Sequence, residues 1–577
     1  MPMPVAAFAR RFFDASLRLS RIGGGNLGGK AQGLLLARDV LEQREAELSA
    51  FGLDVEIPSL VIVGTEVFEA FLAQNDLVEV VAEERPDDRI AHAFRRASLP
   101  PLWLGDLRSL AQEVRAPLAV RSSSALEDAL GQPFAGVYGT KMIPGRESEA
   151  DARFRSLTDA IKFVYATTYF HEARAYMRAT KGRPADERMA VILQEVVGRR
   201  HGDRFYPDLC GVARSYNFYP VGNAQPEEGV VHLALGLGKQ IVDGGVSWSF
   251  SPAHPRAVPP FASVQALVKA TQTSFWAVHM GPAPAYDPMA EDEYLVRAGL
   301  GEAEADGALS RLASTYDPRS ERLVPGTGRP GPRVLDFAPL LHHDDLHLVA
   351  TLRFLLEACA AAAQAPVEIE FAATFPPRER PRLAVLQVRP LLLSRQLVEV
   401  PEAALAGPDV VLASRSALGN GRHALEDVVF VDRAGFETRD TPRLALEVET
   451  LNRALLEAGR PYLLIGFGRW GSSDPWLGIP VRWDQISGAQ VIVEACLPQL
   501  SPEPSQGSHF FHNLASFEVF YFSLPPGGGG LDWEFLETLP EVARTPGVRH
   551  VRCPGGLLVE VDGRTRRGRV ARREETR

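Results

Sequence analysis

Along most of the chain, hydrophobic positions switch between a helical period and short apolar runs, the pattern of an α/β protein. From residue 28 to about 48, "GGKAQGLLLARDVLEQREAEL" follows a glycine run, "GGGNLGG", and predicts a helix. "VEIPSLVIVGTEVFEAFLAQN" predicts a strand ending near Gly64, with Thr65 as N-cap of an amphipathic helix. Residues 77–116 and 150–180 read as helical, and "MAVILQEVV" at 189–197 reads as a buried strand. "GVVHLALGLGKQIVDGG", 229–245, is a strand entering a glycine-rich loop, whereas the proline-rich stretch 256–335 predicts an irregular excursion. A helix at about 345–363 leads into two strands, "VEIEFA" and "LAVLQVRPLLL". Around 396–410, "LVEVPEAALAGPDV" has the composition of a linker, which divides the chain into residues 1–395 and a smaller α/β unit, 396–577.

The 577 residues are too many for one core and imply three to four structural units of roughly 100–200 residues each. A formal charge of −10 argues against a nucleic-acid-coating surface. The basic "RTRRGRVARREETR" at 564–577 reads as a solvated end. No apolar run approaches the length of a membrane span and the start lacks a cleavage signal, so no membrane partner and a cytoplasmic location are expected. Cys210, Cys359, Cys496 and Cys553 form no CxxC pair, which excludes a cysteine-only zinc knuckle and argues against a disulfide scaffold.

Three motifs carry chemistry. In the first, Gly23, Gly24, Gly25, Gly28 and Gly29 precede Lys30 and a helix. Glycine lets backbone N–H groups approach an anion, and lysine adds a point charge. No Ser/Thr follows the lysine, so the spacing is not that of a P-loop. In "PLAVRSSSALEDALGQPFAGVYGT", 117–140, a strand delivers Arg121, whose guanidinium can fork two phosphate oxygens. Ser122, Ser123 and Ser124 add donors, and the segment around Phe134 and Gly136 would make a mobile flap. A capped helix start, with Glu127 as capping-box acid, accounts for the same serines. In the third motif Glu368 and Glu370 share one face of a strand, as do Gln387 and Arg389 on the next. Two acids beside an amide and an arginine make a magnesium-polyphosphate site; alternating acids on a solvated strand are the plainer alternative.

These segments, with "AVILQEVV" and "ALGLGKQIVDG", occur in the order seen in pyruvate phosphate dikinase and phosphoenolpyruvate synthase. The region, roughly 15–395, resembles their nucleotide-binding part and also the ATP-binding part of rifampin phosphotransferase. The resemblance implies an ATP-grasp fold with ATP between two α/β lobes. It implies that Lys30 and Arg121 contact the ATP phosphates, that Gln194 and Glu195 lie nearest the adenine, and that Glu368 and Glu370 hold Mg²⁺. Gln387 and Arg389 would complete the phosphate site. Two positions depart from the family pattern: Lys239 stands where "GLGE" is usual, and Glu368-x-Glu370 replaces Asp-x-Glu.

Residues 396–577 are too few for both a swivelling domain and an eight-stranded barrel, which needs about 250 residues. A divergent swivelling phosphohistidine-like domain is one reading of this part. Ser508-His509, in "PSQGSHFFHNLASFEVFYF", is placed as the family places its phosphohistidine, and His512 competes with it. "LIGFGRWGSSDPWLGIPVRW" offers Arg469, Ser472, Ser473 and Asp474 on a glycine-rich turn, while Trp470, Trp476 and Trp483 read as core aromatics. "HHDD" at 342–345 reads as a solvated helix cap. The expected function is an ATP-dependent phosphotransferase with an unidentified acceptor, working directly or through His509. An ATP-sensing regulatory or assembly protein, or one subunit of a split dikinase, is the alternative. A partner protein and a homo-oligomer are both left open.

Overall fold

A strand without alternating polarity is covered on both faces. Two such runs, Leu60–Val63 and Met189–Glu195, lie side by side at the centre of one sheet. Its full order is Ala6–Ala7, Leu19–Ile22, Leu60–Val63, Met189–Glu195, Leu118–Ser124 and Thr140–Ile143. The structure is a computed structural model. It describes the chain apart from residues 1–4, 11–17, 83–84, 125–126, 128–136, 180–186, 218–223, 258–262, 283, 285–286, 344–345, 392–397, 473, 498–513, 515–518, 525–529, 564 and 574–577. The described chain divides into two units, Met1–Ile241 with Val246–Leu391, and Val242–Gly245 with Leu392–Arg577. Mixed sheets and interspersed helices make it α/β.

The first unit holds a second sheet, ordered Trp248–Phe250, Val230–Ala234, Leu209–Arg214, Val367–Thr374, Arg382–Pro390 and Asp54–Glu56. Helix Gly29–Gln43 packs on it, burying Ala31, Leu34, Leu35, Ala37 and Val40 in a core shared with Ile62, Ile192, Leu352 and Val388. Gly33 makes this approach close: a Cβ there would stand 1.9 Å from the Val388 carbonyl oxygen. Gly33→Ala should therefore lower stability by about 1–3 kcal/mol through overpacking against backbone. Gly301, in helix Leu300–Ala305, has nothing within 4 Å of the corresponding position. Gly301→Ala should raise stability by about 0.5–1 kcal/mol. Opposite shifts in urea denaturation of the two variants check the packing argument.

The expected helices at 28–48, 77–116, 150–180 and 345–363 appear as Gly29–Gln43 with Glu45–Ser49, Leu77–Ala82 with Asp87–Arg96 and Pro101–Glu113, Ala150–Thr167 with His171–Ala179, and Leu348–Ala363. The helix after Leu60–Val63 begins at Thr65 itself, with Gly64 in the N-cap position. The Thr65 hydroxyl instead accepts from the Asn26 N–H at 2.9 Å, tying the glycine loop to this helix. The stretch 256–335 is more regular than its prolines suggest. It contributes Ser274–His279 and Leu295–Gly299 to one sheet, and Ser314–Asp317, Arg322–Pro325 and Arg333–Val334 to another. These strands are too short for an alternating pattern to stand out between prolines.

The second unit is built on a sheet ordered Val410–Ser414, Arg567–Arg572, Val548–Asp562, Gly421–Val431, Tyr462–Phe467, Ala489–Ala495, Phe520–Ser523 and Ala417–Leu418. Gly421–Val431, Tyr462–Phe467, Ala489–Ala495 and Phe520–Ser523 run parallel, and helix Thr441–Glu457 connects the first two. Trp470 and Trp483 are core residues, but Trp476 is 67% exposed, because it lies on the turn after Asp474. Among the described residues no helix is long and apolar enough to cross a membrane, and all four cysteines are free thiols.

Candidate active site

The two strands of the third motif are neighbours, as the sequence suggests. Val367–Thr374 and Arg382–Pro390 pair antiparallel, setting Glu368 opposite Arg389 and Glu370 opposite Gln387. Period-two alternation then puts all four on one face. On its other edge Val367–Thr374 pairs with Leu209–Arg214, which sets Arg214 opposite Glu368. The Glu368 carboxylate is thus held from both sides. Arg214 Nε donates to Oε2 at 2.6 Å, and Arg389 Nε donates to Oε1 at 2.8 Å with Nη2 on the same oxygen. All three residues are 2–3% exposed. No local signal in the sequence marks Arg214: it ends the buried strand Leu209–Arg214, whereas Arg121 stands inside Leu118–Ser124.

Arg121 lies on the first sheet and reaches across to the second. Its Nη1 donates to Gln194 Oε1 at 3.0 Å and to the Leu386 carbonyl at 2.9 Å, and its Nη2 donates to Gln387 Oε1 at 2.6 Å. Glu370 Oε2 lies 3.5 Å from Nη2. Neutral amide oxygens orient a guanidinium without cancelling its charge, so much of the positive field of Arg121 survives. The three guanidinium groups of Arg121, Arg214 and Arg389 outnumber the carboxylates of Glu368 and Glu370 by one, so this cluster keeps a net positive charge.

Lys30 is arranged differently. Its ammonium meets Glu127 Oε1 at 2.5 Å and donates to Ser122 Oγ at 3.0 Å, and Glu127 is fully buried. Ser124 and Glu127 also form the capping-box pair: Ser124 N–H donates to Glu127 Oε2 at 2.8 Å, and Glu127 N–H donates to Ser124 Oγ at 3.3 Å. The helical continuation of that box and the flap around Phe134 and Gly136 lie outside the described residues. Ser123 fixes the glycine loop, accepting from Ala31 N–H at 3.1 Å and donating to the Leu27 carbonyl at 2.8 Å. The Gly24, Asn26 and Gly28 N–H groups donate to Glu66, Thr65 and Asn26 side chains respectively. Those three donors are engaged by the protein itself and do not form an empty anion cradle.

Gln194 and Glu195 are neighbours on one strand and so face opposite sides of the sheet. Gln194, 2% exposed, joins Arg121, while its Nε2 finds no hydrogen-bond partner among the described residues. Burial pushes the Glu195 carboxyl above the usual range, with Arg382 pulling against that. Near Lys30, Tyr138 donates to Glu187 at 3.1 Å. Burial raises the Glu187 carboxyl, partly offset by Ser124 and Tyr138. Lys239 begins helix Lys239–Val242 with its ammonium 6.0 Å from the Trp276 ring centroid, within cation–π range.

Among the described residues, no group of three or more His, Cys, Asp or Glu is arranged to hold a metal. In the second unit Ser472 and Asp474 are spent on their own turn: Ser472 Oγ donates to the Asp474 carbonyl at 3.0 Å, and Asp474 Oδ1 accepts from Trp476 N–H at 3.0 Å. Ser473, Ser508, His509 and His512 lie outside the described residues, as do positions 344–345 of "HHDD".

An inter-sheet seam of buried arginines and glutamates in an α/β unit is the kind of site a nucleotide-handling protein presents. The family model described as "Pyruvate phosphate dikinase, AMP/ATP-binding domain" matches residues 25–404, more than half of the chain, and the protein belongs to that family. Over 201 residues it is 26% identical to "Uncharacterized phosphotransferase YvkC" of Bacillus subtilis (strain 168). That similarity covers 35% of this chain and 21% of the relative's length.

Proposed function

We propose that the first unit binds Mg-ATP at the seam between its two sheets, in the manner of an ATP-grasp site, and that the protein is an ATP-dependent phosphotransferase of dikinase type. The observation that carries this reading is the setting of Arg121. It is anchored by neutral oxygens from both sheets, beside Arg389 and Gln387, and keeps a charge that a polyphosphate can meet. In this reading Arg121, Arg389 and Gln387 receive the phosphates, and Gln194, which holds Arg121, borders the nucleotide, while Glu195 faces the other side of its sheet and takes no part. Lys30 contributes from the first turn of helix Gly29–Gln43, with Glu127 as its counter-ion until phosphate competes. Glu370 and Gln387 face each other in register with hard oxygen donors, which fits magnesium. Glu368 has both oxygens on arginines, so its part is to hold Arg214 and Arg389 in place beside that pair. Bound magnesium would neutralise phosphate charge and align the transferring group.

In a simple kinase, transfer breaks one phosphoanhydride bond of ATP, forms one bond from phosphorus to the acceptor and releases ADP. In the dikinase form a second phosphoanhydride bond is cleaved by water, so that AMP and phosphate leave and one phosphoryl group stays on the acceptor. In the two-step form the first acceptor is a ring nitrogen of His509, which then passes the phosphoryl group on. Incubation with γ- and β-labelled ATP tests the proposal. Release of ADP supports a simple kinase, and AMP with phosphate supports dikinase chemistry. Tight binding without turnover overturns both and leaves an ATP sensor. Intact mass after ATP treatment, compared between wild type and His509→Ala, decides the histidine step: an equal adduct, or none on wild type, removes it.

A further inference from the structure

Away from the seam, the first unit contains a cavity of about 150 Å³ that the nucleotide reading does not use. Trp248 and Leu341 form part of its apolar wall, Ser314 and Asp336 border it, and Arg256 and His342 stand at its exposed rim. Asp336 is 5% exposed. Its carboxyl accepts from the Ala338 N–H at 3.1 Å, and no cation among the described residues lies within ion-pair distance. Ser314, fully buried, lies beside that carboxyl, yet its hydroxyl finds no well-aligned hydrogen-bond partner among the described residues.

A buried carboxyl without a counter-ion is costly unless it is neutralised or paired. Here burial raises its pKa, against weaker opposing effects from Ser314, nearby backbone N–H groups and His342. An apolar cavity of this size admits a molecule of about one ring. An indole in the wall attracts a cation. Arg256 does not repel it strongly, because its guanidinium is solvent-exposed and turned to the His342 carbonyl at 3.1 Å.

We propose that this cavity binds a small primary amine with a single-ring apolar body. The ammonium pairs with Asp336 and donates to Ser314, and the ring packs against Trp248 and Leu341. Titration calorimetry of the full chain, without nucleotide, tests this with benzylamine and its neutral isostere benzyl alcohol. The expected result is saturable benzylamine binding at least tenfold tighter than that of the alcohol. Asp336→Asn should erase that preference, and Ser314→Ala should weaken the amine alone. Absence of benzylamine binding to wild type, equal or tighter binding of the alcohol, or an unchanged preference in a folded Asp336→Asn protein overturns the assignment. Because no nucleotide is present, failure here leaves the ATP reading untouched.

Discussion

Arg121→Ala should weaken ATP binding by about 1.5–3 kcal/mol, the range for a lost charge-assisted hydrogen bond, or roughly 10- to 150-fold in Kd. The variant removes a cation held by Gln194, Leu386 and Gln387 across two sheets. Arg121→Lys separates charge from geometry: it keeps the charge but loses the fork, so its affinity should fall between wild type and alanine. Calorimetric titration with Mg-ATP, on proteins whose circular dichroism matches wild type, reads both. Unchanged affinity in the alanine variant would remove Arg121 from the site.

Glu368→Gln should act on the fold. Its carboxylate compensates Arg214 and Arg389, both buried, and the variant leaves two guanidinium groups facing a neutral amide. Breaking a buried ion pair from one side costs about 3–5 kcal/mol. Urea denaturation should show that loss, with faster hydrogen exchange in Val367–Thr374. Glu370→Gln should behave differently. Glu370 is less buried and lies 3.5 Å from Arg121, so the variant should keep near-native stability and lose metal-dependent turnover. Equal stability of the two variants would contradict the division of labour between the glutamates.

The contrast shows how much of the site could be read along the chain. The pairing of Glu368 with Glu370, and of Gln387 with Arg389, follows from alternation within each strand, which is local. The hairpin-like antiparallel pairing of those strands also joins near neighbours in sequence, and the observed register agrees with it. Likewise, Ser124 and Glu127 have capping-box spacing, and the reciprocal bonds are present. Arg214 is another matter. It meets Glu368 across 154 positions of chain, and no local period encodes which distant strand will lie alongside. The same holds for Lys30, whose charge is met by Glu127, 97 positions away.

By itself, then, the sequence determined the element types outside 256–335 and the terminal strand Arg567–Arg572, the faces of the strands around the site and the family to which residues 25–404 belong. It did so because helical and strand periods are properties of neighbouring residues. Only the tertiary structure decided which charges remain available. It engages both oxygens of Glu368 with arginines, sets Glu370 opposite Gln387, pairs Lys30 with an acid and gives Arg121 mainly neutral anchors. The physical reason is that the availability of a charge depends on every group packed around it, and packing is settled by contacts between segments far apart in the chain.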